Sequence, residues 1–85
     1  MNKFIGDRPY ADPEAAARKL LDIVRGFIEQ SGLSRTYTGV TNRAFLDAGG
    51  SPAEYTAGVN YAAAKNWFEV DRSGTRITVL PDGAE

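Results

Sequence analysis

The chain has 85 residues, 42% of them hydrophobic and 25% charged, with ten basic and eleven acidic side chains and a formal net charge of −1. That is close to the globular average for one small domain, and it argues against a disordered, collagenous or coiled-coil chain. Cysteine and histidine are both absent, which removes disulfides, thiolate nucleophiles, the usual general base and the commonest metal ligand, so no enzyme activity, cofactor or metal is expected.

Residues 1–12 read as a lead-in, extended at Arg8-Pro9-Tyr10 because a proline biases its predecessor away from helix. Phe4 and Tyr10 are placed to fold back on the core. Asp12-Pro13-Glu14 marks a helix start: Asp12 is a capping type, Pro13 suits the first helical position and Glu14 complements the helix dipole. At about 3.6 residues per turn, Ala16, Ala17, Leu20, Leu21, Ile23, Val24, Phe27, Ile28 and Ser31 share one arc. Arg18, Lys19, Asp22, Arg25, Gly26, Glu29 and Gln30 share the other. This separation predicts an amphipathic helix over 13–31, closed by Gly32.

Residues 35–40 are β-branched and aromatic and predict a short strand broken at Gly39. Thr41 then caps a short helix over 42–48, stopped by Gly49-Gly50. Ser51-Pro52-Ala53-Glu54 has the spacing of a capping box and opens a helix running through about Lys65, with Asn66 suited to a left-handed close. Tyr55, Val59 and Ala62 are assigned to its inner face beside Gly58, and Ala53, Thr56, Ala57, Asn60, Tyr61 and Ala64 to its outer face. A glycine inside a helix costs roughly 0.5–1 kcal/mol relative to alanine, so Gly58 points to close approach of another backbone.

Trp67–Asp71 and Thr75–Leu80 predict a hairpin ended by Pro81. An even-length connection about Ser73-Gly74 aligns the apolar faces, setting Val70 against Ile77, Phe68 against Val79, and Asp71 opposite Arg76 on the outer face. Helix 1 contributes Leu20, Leu21, Ile23, Val24, Phe27 and Ile28 to the expected core. The rest brings Phe45, Leu46, Val59, Trp67, Phe68, Val70, Ile77, Val79 and Leu80.

The order helix, strand, helix, tight turn, helix, hairpin resembles the winged-helix domain. The resemblance rests on the short Gly49-Gly50-Ser51 connection between two helices, on the close Ala64-Lys65-Asn66-Trp67-Phe68, and on the wing-like hairpin. It covers about 13–81, leaving 82–85 as a tail. It implies an α+β fold: a three-helix winged-helix domain with a small antiparallel sheet and a C-terminal β-hairpin wing. The stretch Asp7 to Leu20 also resembles small bacterial proteins, which implies no function.

The resemblance implies duplex DNA as a partner, with the third helix in the major groove. Arg43, Thr56, Asn60, Tyr61, Lys65, Arg72 and Arg76 are then the candidate contacts, with Arg35 as an additional phosphate contact. Asn60 is the best base reader among the outward residues of that helix. Against this, no stretch of the chain is a block of Lys and Arg, so phosphate binding has to rest on a local patch. The rival expectation is a winged helix used for protein interaction or dimerisation, with Tyr37 and Tyr61 as partly exposed interface aromatics. Glu69 and Asp71 have no nucleophile or pocket motif beside them. No apolar run approaches the roughly 18 residues of a membrane span. The N-terminal residues lack the apolar stretch of a signal peptide, so a cytoplasmic location is expected.

Overall fold

Pro13 begins α1, which runs to Ser31 and ends in Gly32 at φ 75°, its N–H donating to the Ile28 carbonyl. The computed structural model describes residues 9–33 and 35–84. It continues with β1 (Arg35–Tyr37), α2 (Thr38–Asp47), α3 (Pro52–Ala64), β2 (Phe68–Val70), β3 (Arg76–Val79) and the single turn α4 (Pro81–Ala84). The fold is α+β, with three substantial helices against a three-stranded antiparallel sheet of order β1-β3-β2. Among the described residues no helix is long and apolar enough to cross a membrane.

The first helix follows its predicted bounds, although Asp12 holds the N-cap position without a side-chain capping bond. Ala16, Ala17, Leu20 and Val24 are its buried stripe, and Phe45, Ala62, Phe68 and Ile77 complete the core. Small residues dominate where α1 meets α3. Gly58 is buried there, and a Cβ built on it would lie 2.9 Å from Ala16 Cβ and 3.0 Å from the Ala16 carbonyl carbon. Close backbone approach is thus the reason for glycine at this position. Tyr10 folds onto the core, its ring 5.2 Å from that of Phe45, while Pro9 and Tyr10 form a turn rather than an extended lead-in. Phe4 lies outside the described residues.

The segment 35–48 differs from its prediction. The strand stops at Tyr37, and α2 begins at Thr38, one turn before the expected start. Thr41 is not a cap. It sits inside the helix, fully buried, and its hydroxyl donates to the Tyr37 carbonyl at 3.0 Å. Starting at Thr38 puts Thr41 and Phe45, four residues apart, on one face toward the core, and it turns Val40 to solvent. The corner is pinned to the hairpin, because Thr38 N–H donates to the Thr75 carbonyl and Thr38 Oγ1 to the Gly74 carbonyl.

The capping box at α3 is present in both directions. Ser51 Oγ accepts from Glu54 N–H at 3.2 Å, and the Glu54 carboxylate accepts from Ser51 N–H at 3.0 Å. Asn66 closes the helix at φ 62°, and Trp67 N–H returns to the Ala62 carbonyl. The hairpin takes the predicted register, Phe68 opposite Val79 and Val70 opposite Ile77. Its connection is the four-residue form Arg72–Thr75: Gly74 N–H donates to the Asp71 carbonyl, and Gly74 adopts φ 78°.

Candidate functional site

The residues assigned to a DNA face fall in several places. Thr56 and Asn60 are exposed on the outer face of α3 among Ala53, Ala63 and Ala64. The Thr56 hydroxyl is already directed back to the Pro52 carbonyl at 3.2 Å, and that stripe carries no cation. Asn60 lines a groove of about 550 Å³ between α3 and β2 with Val59, Ala63, Phe68 and Glu69.

Tyr61 is not an outward residue. It follows Gly58 by one turn and flanks the buried stripe, half-buried, with its ring edge-on to Trp67 at 5.7 Å. Desolvation pushes its hydroxyl above the ordinary tyrosine value, and the nearby Glu14 carboxylate adds to that. Lys65 lies over the Tyr61 ring at 5.6 Å, and Arg18 over Trp67 at 5.2 Å. These groups tie α3 to the start of α1, where Arg18 also holds the Glu14 carboxyl below its ordinary value through a 2.8 Å bond.

Asp71 and the Arg76 guanidinium form no ion pair. The two residues are opposite, Asp71 N–H donating to the Arg76 carbonyl. The Asp71 carboxylate instead accepts from Ser73 Oγ, Thr75 N–H and Arg76 N–H at 2.9–3.2 Å. Partial desolvation raises the Asp71 carboxyl, and these bonds together outweigh it, led by the Arg76 N–H, so its pKa lies below the ordinary value. A short carboxylate inside a tight turn reaches backbone donors more readily than a side chain across the strand. The Arg76 guanidinium is left to lie 5.9 Å from the Tyr37 ring centroid on β1. Arg72 is exposed in the turn.

The structure gathers a different set. Among the described residues, the exposed large hydrophobic side chains are Leu33 at 64%, Tyr37 at 58% and Val40 at 45%. They form one patch, because Tyr37 belongs to two adjoining depressions. Leu33, Arg35, Thr36, Tyr37 and Arg76 line one of about 170 Å³. Phe27, Tyr37, Val40, Arg43, Ala44 and Asp47 line the other, of about 560 Å³. Three of the predicted cations, Arg35, Arg43 and Arg76, thus flank an apolar centre. Arg43 contacts Asp47 at 3.9 Å, with both side chains largely exposed. The strand's own alternation signals Tyr37 as half-exposed. Leu33, just past the end of α1, and Val40 carry no such signal, and the exposure of Val40 follows from where α2 starts.

Among the described residues no group of carboxylates comes together that would hold a metal ion. No protein-family model matches the chain, and comparison with curated proteins and with solved structures gives no match.

Proposed function

We propose that the chain is a winged-helix domain that acts without catalysis, as a protein-interaction module. The element order supports the winged-helix part: α2 and α3 are joined by the short connection 48–51, β1 lies against β3, and the β2–β3 hairpin extends as a wing. The interaction part is carried by the contiguous Leu33–Tyr37–Val40 patch with its flanking arginines. Clustered exposed apolar side chains rimmed by polar residues are a mark of interaction sites, and aromatic and Arg side chains are enriched in protein interfaces.

Duplex DNA is the second reading, favoured by the paired helices α2 and α3, exposed Asn60 and the Arg72 turn. On that reading affinity comes from phosphate contacts by Arg43, Lys65, Arg72 and Arg76. Those four contacts give a slope of log K against log [salt] of about −0.9 × 4, or roughly −3.6.

Two measurements decide between the readings. The first is a salt titration with random-sequence duplex DNA. The second is photo-crosslinking from a photoreactive residue at Tyr37, against one at Ala53 on the outer face of α3, in extracts of the producing cells. The interaction reading expects protein adducts from Tyr37 and not from Ala53, with no duplex binding at low salt. Duplex binding with the steep slope, and no adducts from Tyr37, overturns it.

A further inference from the structure

We propose that the depression between α1 and α2 receives a large apolar side chain of an acidic partner segment, whose flanking carboxylates pair with Arg35, Arg43 and Arg76. The proposal rests on the interaction reading and specifies the chemistry of its partner.

The depression of about 560 Å³ has Phe27 of α1, Tyr37 at the end of β1, and Val40 and Ala44, one turn apart on α2, as its apolar walls. Such a concavity fits an inserted side chain better than a flat surface. Arg43 and Asp47 are the charged residues of this depression, and Arg35 and Arg76 those of the one adjoining it at Tyr37, so the two depressions together carry a local charge of +2 in a chain whose net charge is −1. All three arginines are exposed. The Arg43–Asp47 contact at 3.9 Å between exposed side chains is worth little, so an incoming carboxylate competes for Arg43 at small cost. Arg35 and Arg76 share the smaller depression on the other side of Tyr37. Carboxylates on both sides of an apolar anchor therefore find guanidinium groups on both sides of the apolar wall, in a pairing that favours bidentate geometry.

Charge also selects against the other occupants. A two-fold contact burying both depressions would set their arginines against one another. Single-stranded nucleic acid would use the arginines and Tyr37. However, one approach to the Tyr37 ring is taken by Arg76, and the pocket walled by Phe27 and Val40 offers phosphates and sugars nothing. A segment with an apolar anchor and flanking acids uses every part of the patch.

The test uses the full chain and a fluorescein-labelled peptide, Asp-Asp-Glu-Leu-Phe-Glu-Asp-Asp, read by anisotropy. Two control peptides carry Asn and Gln in place of the acids, or Ala-Ala in place of Leu-Phe. The expected result is saturable binding, weakened about tenfold or more by either change in the peptide. Exposed ion pairs contribute modestly one at a time. The double variant Arg43→Gln, Arg76→Gln therefore weakens binding about tenfold, Val40→Ser weakens it comparably, and Asn60→Ala on α3 leaves it unchanged. All of these positions are exposed, and circular dichroism checks that each variant folds. Binding indifferent to Val40→Ser, or tighter binding to oligo-dT or to anionic phospholipid vesicles than to the peptide, overturns the proposal. If the peptide fails to bind while protein adducts from Tyr37 persist, the acidic-partner proposal falls and the interaction reading stands. If adducts are absent as well, both fall.

Discussion

Replacing Gly58 by alanine sets two physical effects against each other in one residue. Alanine in a helix interior is favoured over glycine by about 0.5–1 kcal/mol. At Gly58 the added Cβ would lie 2.8 Å from Leu20 Cδ1, 2.9 Å from Ala16 Cβ and 3.0 Å from the Ala16 carbonyl carbon. The leucine methyl can rotate away, whereas both Ala16 atoms are fixed to the α1 backbone, so relief requires α1 and α3 to part. Overpacking of this kind costs about 1–3 kcal/mol, which exceeds the propensity gain. A net loss of about 1 kcal/mol corresponds to a fall in Tm of roughly 4–8 °C for a domain of this size. Gly58→Leu, with better propensity than glycine but more volume, falls further. Gly26 is the internal control: it lies within α1 with no heavy atom within 4 Å of an added Cβ, so Gly26→Ala raises Tm by about 2–8 °C. Thermal melts followed by circular dichroism give both numbers. A Gly58→Ala melt above wild type, or equal upward shifts at both glycines, refutes the close-approach account.

Ser51→Ala removes one arm of the capping box, so urea unfolding shows a loss of about 1 kcal/mol without a change in the dependence on denaturant. Asp71 and Glu14 both have carboxyl pKa values held below the ordinary range in the folded chain. Their contribution to stability is therefore complete above the unfolded-state value near 4, and it is lost as pH falls through the lower folded-state value. Melting temperature accordingly holds between about pH 7 and 5 and declines below about pH 4. Asp71→Asn, which keeps an oxygen acceptor for the turn, makes that decline shallower; an identical acid limb in the variant counts against the carboxylate's role.

The Tyr37–Val40 part of the patch depends on the corner at Thr38. Chain direction changes there from strand to helix while two hydrogen bonds hold the corner to the hairpin loop. Tyr37 stays on the outer face of the sheet beside Arg76, and Val40 stays on the solvent side of α2.

Local chemistry alone determined the elements whose signals lie within a few residues. Pro13 and Gly32 delimit α1, and its two-sided wheel names the buried stripe. Ser51 and Glu54 start α3, and the alternation of Phe68, Val70, Ile77 and Val79 admits one hairpin register. Tertiary contact decided what those signals leave degenerate. In α3, alanines occupy both faces, Ala62 buried and Ala63 and Ala64 exposed, so hydrophobicity cannot orient the helix, and the expectation for Tyr61 pointed outward. The packing of Gly58 on Ala16 orients it instead. In segment 35–48, strand and helix are both compatible with Thr38-Gly39-Val40, and the core selects helix because Thr41 and Phe45 must face it together. The arginines scattered at 35, 43 and 76 become neighbours of one tyrosine only when β1 pairs with β3 and α2 folds back beside them. Side-chain periodicity encodes which residues share a face of one element, but which face stays in water depends on the neighbours that cover the rest.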